Sequence, residues 1–325
     1  MTVESELAAV DNTPTDGTKP WHEKARGVLS VAELAELNPR SDAQGWRQLA
    51  AHLAVMLGSA ALWTWGLRTG AWGVALPALV VYGFSLASMF APLHECVHRT
   101  AFATPKLNDA VAWLAGVLSF YNSTFYRRYH KWHHRYTQIP GKDPELDDPA
   151  PTTWVQYLWQ LSGLPWWWGK IQSHGQSLLG DATNRPYLNT ETIRADVQRS
   201  TAAQLAVYAV AIALSVWLHY PWVVLYWLLP LAVGQPFLRF ILLAEHTGCP
   251  QTANPLENTR TTHTLAPIRL LMWNMPYHAE HHLYASIPFH ALPQAHRKLA
   301  EELTQVAPGY VAVNRQITAT FGTQA

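Results

Sequence analysis

Eight of the 16 histidines fall into three short boxes. "HECVH" supplies His94 and His98, "HKWHH" supplies His130, His133 and His134, and "HAEHH" supplies His278, His281 and His282. On a helix, spacings of three and four put imidazoles on one face, a turn apart, where they can meet one metal ion or two neighbouring ones. His246, in "LLAEHTG", is a ninth candidate; its other reading is a histidine capping a helix end. Imidazole suits Zn, Cu, Fe and Ni, so ligand type alone does not choose the metal. Eight or nine nitrogens nevertheless exceed the roughly four or five positions of a single ion, which points to two. The two cysteines cannot form a thiolate cluster, so the donors are nitrogen and oxygen.

The first box also has the form H-E-x-x-H by which zinc metalloproteases are spotted, with Glu95 as general base. That reading leaves most of the boxed histidines without a role. Two nitrogen-rich ions beside apolar segments point instead to iron and dioxygen activation, with neutral imidazoles whose second ring nitrogen is anchored by a carboxylate or carbonyl. Glu95, Glu280, Asp143, Glu145, Asp147 and Asp148 are the available carboxylates. The alternative for the "DPELDD" stretch is a solvated loop.

The elements that must position these groups are apolar. Residues 72–93 contain no charge, and at 1.5 Å per residue they span ~30 Å of hydrocarbon. A second run covers 48–67 and ends in "WTWG", an aromatic pattern typical of membrane interfaces. The runs 202–218 and 222–238 are separated only by "HYP". The pattern predicts four transmembrane helices arranged as two hairpins. Of the 23 basic residues, 11 lie between 94 and 200, five precede the first span and five follow the fourth, with Arg239 inside it. The positive-inside rule therefore puts both termini and all three boxes on the cytoplasmic side. Between the hairpins, "LNDAVAWLAGVLSFY" and "TTWVQYLWQLSGLPWWWGKIQ" read as helices lying in or dipping into the interface.

Composition agrees with little water-facing surface: 14% charged residues, a net charge of +1 and 16 tryptophans over 325 residues. This argues against a nucleic-acid partner. The acidic, proline-containing start is no secretory signal peptide. The expected division is a polar cytoplasmic segment over 1–44, a membrane domain over 45–310 and a tail over 311–325.

The three boxes in this order, with these intervals around two apolar pairs, resemble the integral-membrane fatty acid desaturases and hydroxylases, a family that includes alkane and carotenoid hydroxylases. The likeness covers roughly 48–300. It implies an all-α membrane fold of four spanning helices under a cytoplasmic helical cap, with two irons held by His94, His98, His130, His133, His134, His278, His281 and His282. His246 matches the family's extra histidine after the fourth span. O2 is the implied co-substrate, and an unactivated C–H bond of a fatty acyl or other lipophilic substrate the implied target. The outcome is desaturation or hydroxylation, since the three-residue gap in the first box occurs among both.

No "HPGG" haem-binding stretch occurs, so electrons are expected from a separate ferredoxin, rubredoxin or cytochrome b5 type of donor. Leu242 stands where some acyl-CoA desaturases carry an Asn; Asn274, four before His278, could hold a water on iron or cap a helix. The text around the first and third boxes looks closer to bacterial desaturase-like hydrocarbon oxygenases, which keeps a small-molecule hydroxylase or O-demethylase open beside a lipid desaturase. Arg127, Arg128, Lys131 and Arg135 offer a docking surface for an acidic donor or simply follow the positive-inside rule. Gly83, Ser85, Ala87, Ser88 and Gly234 could leave room for a substrate cavity or allow close helix packing.

Overall fold

The computed structural model describes residues 27–180 and 185–321. Residues 1–26 of the expected polar segment, and 322–325 of the expected tail, lie outside the described residues. The chain is mostly helical, with a two-residue parallel ladder pairing β1 (Thr261–Thr262) with β2 (Val306–Ala307).

Four helical stretches are long and apolar enough to cross a membrane. They are α2 (Asp42–Thr69), the run Trp72–Val97, α9 (Glu191–Trp217) and the run Val224–His246 that ends in α10 (Leu229–His246). A short α1 (Val31–Leu37) precedes them. The first and third are longer than their apolar cores suggest. Ser41 and Thr190 cap the polar first turns through their side chains, so the helix starts where the cap is, not where the apolar run begins. Large apolar side chains on the outer faces of the first three stretches, such as Leu57, Trp65, Leu76, Val210 and Val216, are exposed, as lipid-facing residues must be.

The second stretch is not one straight rod. It ends as α3 (Trp72–Ala87), turns at Ser88 and Met89, and restarts as α4 (Phe90–Val97). Pro92 explains the break: it has no N–H to offer the carbonyl four residues back, and its ring crowds that carbonyl. Pro230 acts similarly in the fourth stretch, which opens with a π-helical turn, Val224–Leu228. The carbonyl of Tyr226, left without its helical donor, accepts from the Tyr82 hydroxyl at 2.5 Å, and Trp63 donates to the Leu225 carbonyl at 3.0 Å. Neighbouring helices thus satisfy backbone groups that no water reaches in hydrocarbon.

Gly70, at φ 72°, closes α2 and turns the chain into α3, which packs back along it with Gly66 against Ala75. α3 also packs along α10 at backbone contact. A Cβ on Gly234 would stand 1.9 Å from the Gly83 carbonyl oxygen, and one on Gly83 would stand 2.4 Å from that of Pro230. Ser85, Ala87 and Ser88 are also buried, with the Ser85 carbonyl bonded to His52 of α2 at 2.7 Å. The two glycines therefore serve close packing of these helices.

Between the second and third stretches run α5 (Pro105–Ser119), α6 (Ser123–Tyr136), α7 (Trp154–Leu161) and α8 (Leu164–Leu179). α7 and α8 expose Trp154, Val155, Leu158, Trp159, Trp168 and Ile171, the surface expected of helices at a membrane interface. After α10 come α11 (Ala266–Leu271), α12 (His278–Leu283), α13 (Leu292–Leu299) and α14 (Tyr310–Ala319). α14 packs on α10, where Asn314 accepts from Tyr157 of α7 at 2.9 Å.

The α3–α10 seam makes a clear expectation. Gly234→Val should force the two backbones apart, cost about 1–3 kcal/mol as overpacking does, and lower the melting temperature of the purified protein by several degrees. Gly58→Ala, which meets nothing within 4 Å, should leave it unchanged. Equal melting of both variants and the parent would mean that the seam is not close-packed.

Candidate metal centre

Four segments meet at one end of the helical core. α4 carries His94 and ends at His98; α6 carries His130, His133 and His134; α10 ends at His246; α12 carries His278, His281 and His282. Each is fixed locally. Asn122 caps α6 by accepting from the Phe125 amide at 2.9 Å. The six-residue α12 is too short to stand alone. It is tied through Glu280, inside the third box, which bonds the Thr261 hydroxyl on β1 and the His296 ring on α13, while the Ala279 amide donates to Thr261.

All nine candidate histidines come together, and they sort into two groups. In the first, His94, His98, His130, His134 and His281 each offer a nitrogen, with these atoms all within 4.8 Å of one another. In the second, His133, His246 and His282 do the same. His278 adjoins the second group, its Nε2 3.2 Å from that of His246. The stacked rings of His134 and His282, 4.1 Å apart, join the two groups.

Hydrogen bonds set the tautomers of the second group. His133 Nδ1 faces Asp143 Oδ1 at 2.8 Å, and His246 Nδ1 faces the Asn258 carbonyl at 3.2 Å. Thr137 gives its hydroxyl proton to the His133 carbonyl, so it can only accept from His282 Nδ1, 3.1 Å away. Each Nδ1 therefore carries the proton, and each Nε2 turns a lone pair inward. Asp143 is itself held by the Gln138 and Glu145 amides.

Across both groups many ring nitrogens have no partner. Both nitrogens of His94 and His281, with His98 Nε2, His134 Nδ1, His278 Nδ1 and His282 Nε2, are buried and bond no described residue. His130 and His134 face each other Nε2 to Nε2 at 2.9 Å. Buried polar atoms without partners are rare, and each costs about 1–3 kcal/mol. Converging imidazole lone pairs are what a cation would need. Burial, reinforced by the neighbouring histidines, pushes His130, His134, His278, His281 and His282 well below the ordinary histidine range, which keeps them neutral. His133 moves the other way: burial opposes its charge, but Glu145 and the bond to Asp143 outweigh it.

Of the expected carboxylates, Asp143 alone hydrogen-bonds a boxed histidine. Glu145 reaches within 3.6 Å of His133 Nε2, and Glu280 faces Thr261 and His296 instead. Asp147 and Asp148 are exposed. Glu95 is fully buried, accepts from Thr100 at 3.0 Å, and lies 3.8 Å from His94 Nδ1. Asn274 is not on the face of α12, which begins only at His278; it sits in a left-handed turn at φ 59° and donates to the Phe289 carbonyl.

Sequence reasoning missed Glu245, whose carboxylate stands 3.5 Å from His278 Nε2. Its signal was an acid in the last turn of an apolar stretch, beside His246. It also missed Thr137, Asn258 and His296, which lie outside any box.

A cavity of about 1250 Å³ opens beside the histidines. It is lined by His94, His130, His133, His246 and His278, by Phe90, Tyr126 and Tyr129, and by Trp166, Lys170 and Arg239.

The sequence model of the fatty acid desaturase family matches residues 70–314. The chain belongs to the fatty acid desaturase family. An sn-1 oleoyl-lipid 12-desaturase of Picosynechococcus is 24% identical over 301 residues, 86% of this chain and 82% of the relative. The bovine sphingolipid delta(4)-desaturase/C4-monooxygenase DES2 is 28% identical over 258 residues, 78% of this chain and 72% of the relative. A rice sphingolipid delta(4)-desaturase DES1-like protein is 24% identical over 249 residues, 76% and 70%. The desaturase-type chain with four apolar helices is thus a multi-pass membrane oxidoreductase.

The bond between Asp143 and His133 yields an expectation for metal binding. Asp143→Asn should release the His133 ring and weaken metal retention by about 10- to 100-fold, as losses of such orienting partners do. Elemental analysis of the purified variant, dialysed against graded chelator, measures this. Retention equal to the parent's would show that the carboxylate does not orient a ligand.

Proposed function

We propose that this family member is an O2-dependent di-iron oxidoreductase that oxidises an unactivated C–H bond of a lipophilic substrate, by desaturation or hydroxylation. The observation that carries this is the pair of histidine groups, with their unpartnered inward nitrogens, beside a cavity lined in part by aromatic side chains. The proposed ligands of one iron are His94, His98, His130, His134 and His281, and those of the other His133, His246, His278 and His282. Bound iron would supply activation of O2 and removal of hydrogen from carbon. The domain that does this covers 45–310, with two helical hairpins in the membrane, and the boxes and both termini on the cytoplasmic side.

The rest of the work falls to the chain. Asp143, Asn258 and Thr137 hold three imidazoles in the tautomer that presents Nε2. Tyr126 stacks on His130, with its hydroxyl 3.3 Å from Nδ1, and also lines the cavity, so one ring supports a ligand and faces the substrate. Phe90 and Tyr129 extend that wall and keep water from the substrate chain. Placement of the substrate decides between alkene and alcohol, because the two outcomes differ in which atom lies within reach after the first hydrogen is removed. Electrons come from a separate donor of ferredoxin, rubredoxin or cytochrome b5 type. The relatives' activities, on lipid and sphingolipid chains, support a lipid substrate.

The zinc protease reading has little to support it. Glu95 is buried, engaged by Thr100 and absent from the cavity wall, whereas a general base must face the water it activates. A small-molecule hydroxylase or O-demethylase would use the same centre on a shorter ligand.

Metal analysis of the purified chain should find two irons, and His134→Ala or His281→Ala should lower that content and abolish turnover while the protein stays in the membrane. One zinc per chain, or full activity in both variants, would overturn the centre. Glu95→Gln should keep both irons and lose about 10- to 100-fold in rate, as for a group beside a ligand. Cells expressing the chain and fed fatty acids, alkanes and methyl ethers should form O2-dependent alkene, alcohol or demethylated product. Turnover of hydrophilic compounds alone would refute a lipophilic substrate.

A further inference from the structure

Of the four basic side chains that line the cavity, Lys170 and Arg239 lie together, and neither has a carboxylate within ion-pair distance among the described residues. Arg239 lies on α10, inside the fourth apolar stretch, seven residues before His246. Seven residues are two turns, so the two side chains share a face, roughly 10 Å apart along the axis. An ionised side chain within a spanning helix is costly and persists where it has a partner or a ligand. Arg239 has half of a partnership: one terminal nitrogen reaches the Tyr121 hydroxyl at 3.3 Å, while Nε is buried and bonds nothing among the described residues.

Lys170 comes to the same place from α8. Its Nζ stands 3.4 Å from the centre of the Tyr121 ring and 5.9 Å from that of Trp166, whose ring also lies 5.8 Å from the Arg239 guanidinium. Trp166 donates to the same Tyr121 hydroxyl at 3.0 Å. Ring faces satisfy part of a cation's field but accept few of its N–H bonds. Burial, with Arg239 behind it, pushes the Lys170 ammonium well below its ordinary value.

The nearest acids, Glu145 and Glu245, feel the charge of Arg239 without forming a direct ion pair with it. Glu145 and Glu245 approach His133 and His278, at 3.6 and 3.5 Å, and neither comes within ion-pair distance of Lys170 or Arg239. Lys170 and Arg239 thus sit together on aromatic rings, while the nearest acids turn to imidazoles.

We propose that Lys170 and Arg239 bind the anionic end, carboxylate or phosphate, of a lipophilic substrate and so hold its chain against the histidines. Planar guanidinium bonds such an oxygen pair in a fork, and the ammonium adds a mobile second donor. A substrate of the same chain length without a charge leaves both cations unmatched, so the site selects for the anion. This rests on the oxidoreductase reading only for what happens at the far end of the chain.

The test is therefore binding, read without turnover. Purified full-length chain, as isolated with its metal and without any electron donor so that no turnover occurs, is titrated in uncharged detergent with dibrominated stearate, with dibrominated stearoyl lysophosphatidate and with the dibrominated methyl ester, following bromine quenching of tryptophan fluorescence. At least one anion should bind about tenfold or more tightly than the ester, as a charge-assisted bond predicts. Preference for the first identifies a carboxylate end, and for the second a phosphate. Lys170→Met and Arg239→Gln should each remove most of that preference, while Lys170→Arg keeps it. Equal binding of all three probes, or a preference that survives both substitutions, overturns the proposal. If Arg239→Gln fails to fold, the Lys170 pair decides alone. A chain that shows the anion preference yet oxidises nothing would instead refute the oxidoreductase reading.

Discussion

Neutral imidazoles whose lone pairs face each other in a dry interior repel, and the architecture is organised around making that arrangement tolerable. Eight ring nitrogens of the boxed histidines bond no described residue. At about 1–3 kcal/mol for each unmatched buried polar atom, their sum is on the order of 10 kcal/mol, comparable with the whole stability of an ordinary domain. Cations bound among them would give the inward lone pairs a charge to point at, and folding and metal uptake would then be coupled. The four histidine-bearing segments can be short, bent or terminal because the shared centre ties them together.

Much of this is legible in the residues. Charge-free runs announce the membrane stretches, and histidine spacings of three and four announce helices that present one face. The nine histidines that spacing and order single out do meet in space. What cannot be read locally is how each is oriented. Thr137 serves His282 from 145 residues away in sequence, and Asn258 serves His246 through a backbone carbonyl that any residue type possesses. Asn274 shows the converse error: four residues before His278 implies a shared face only if the helix is already under way, and here it is not. Apolar runs likewise mark what faces lipid and not where a helix stops, so Ser41 and Thr190 begin helices well outside them. Pro92 was visible in the first box's approach, and its consequence, a restart that re-aims His94 and His98, follows from its missing N–H.

Family membership and the site's geometry speak to different questions. The relatives act on lipid and sphingolipid chains at 24–28% identity, which is enough for a shared framework and too little to carry a regiochemistry. Those differences must reside in the cavity, where the walls are this chain's own: aromatic on α6, aromatic and cationic on α8 and α10.

The contact of Gly83 with Gly234 bears on that variability. A seam where two backbones touch cannot be reshaped by exchanging side chains, since any larger residue separates the helices, and neither glycine lines the cavity. The part of the cavity built by Trp166 and Lys170, on a helix whose outer face is open, has no such limit. One side of the molecule is in this sense an anvil and the other an adjustable jaw. Diversification toward new substrates, natural or in the laboratory, is accordingly channelled into α8 while the helical seam stays as it is.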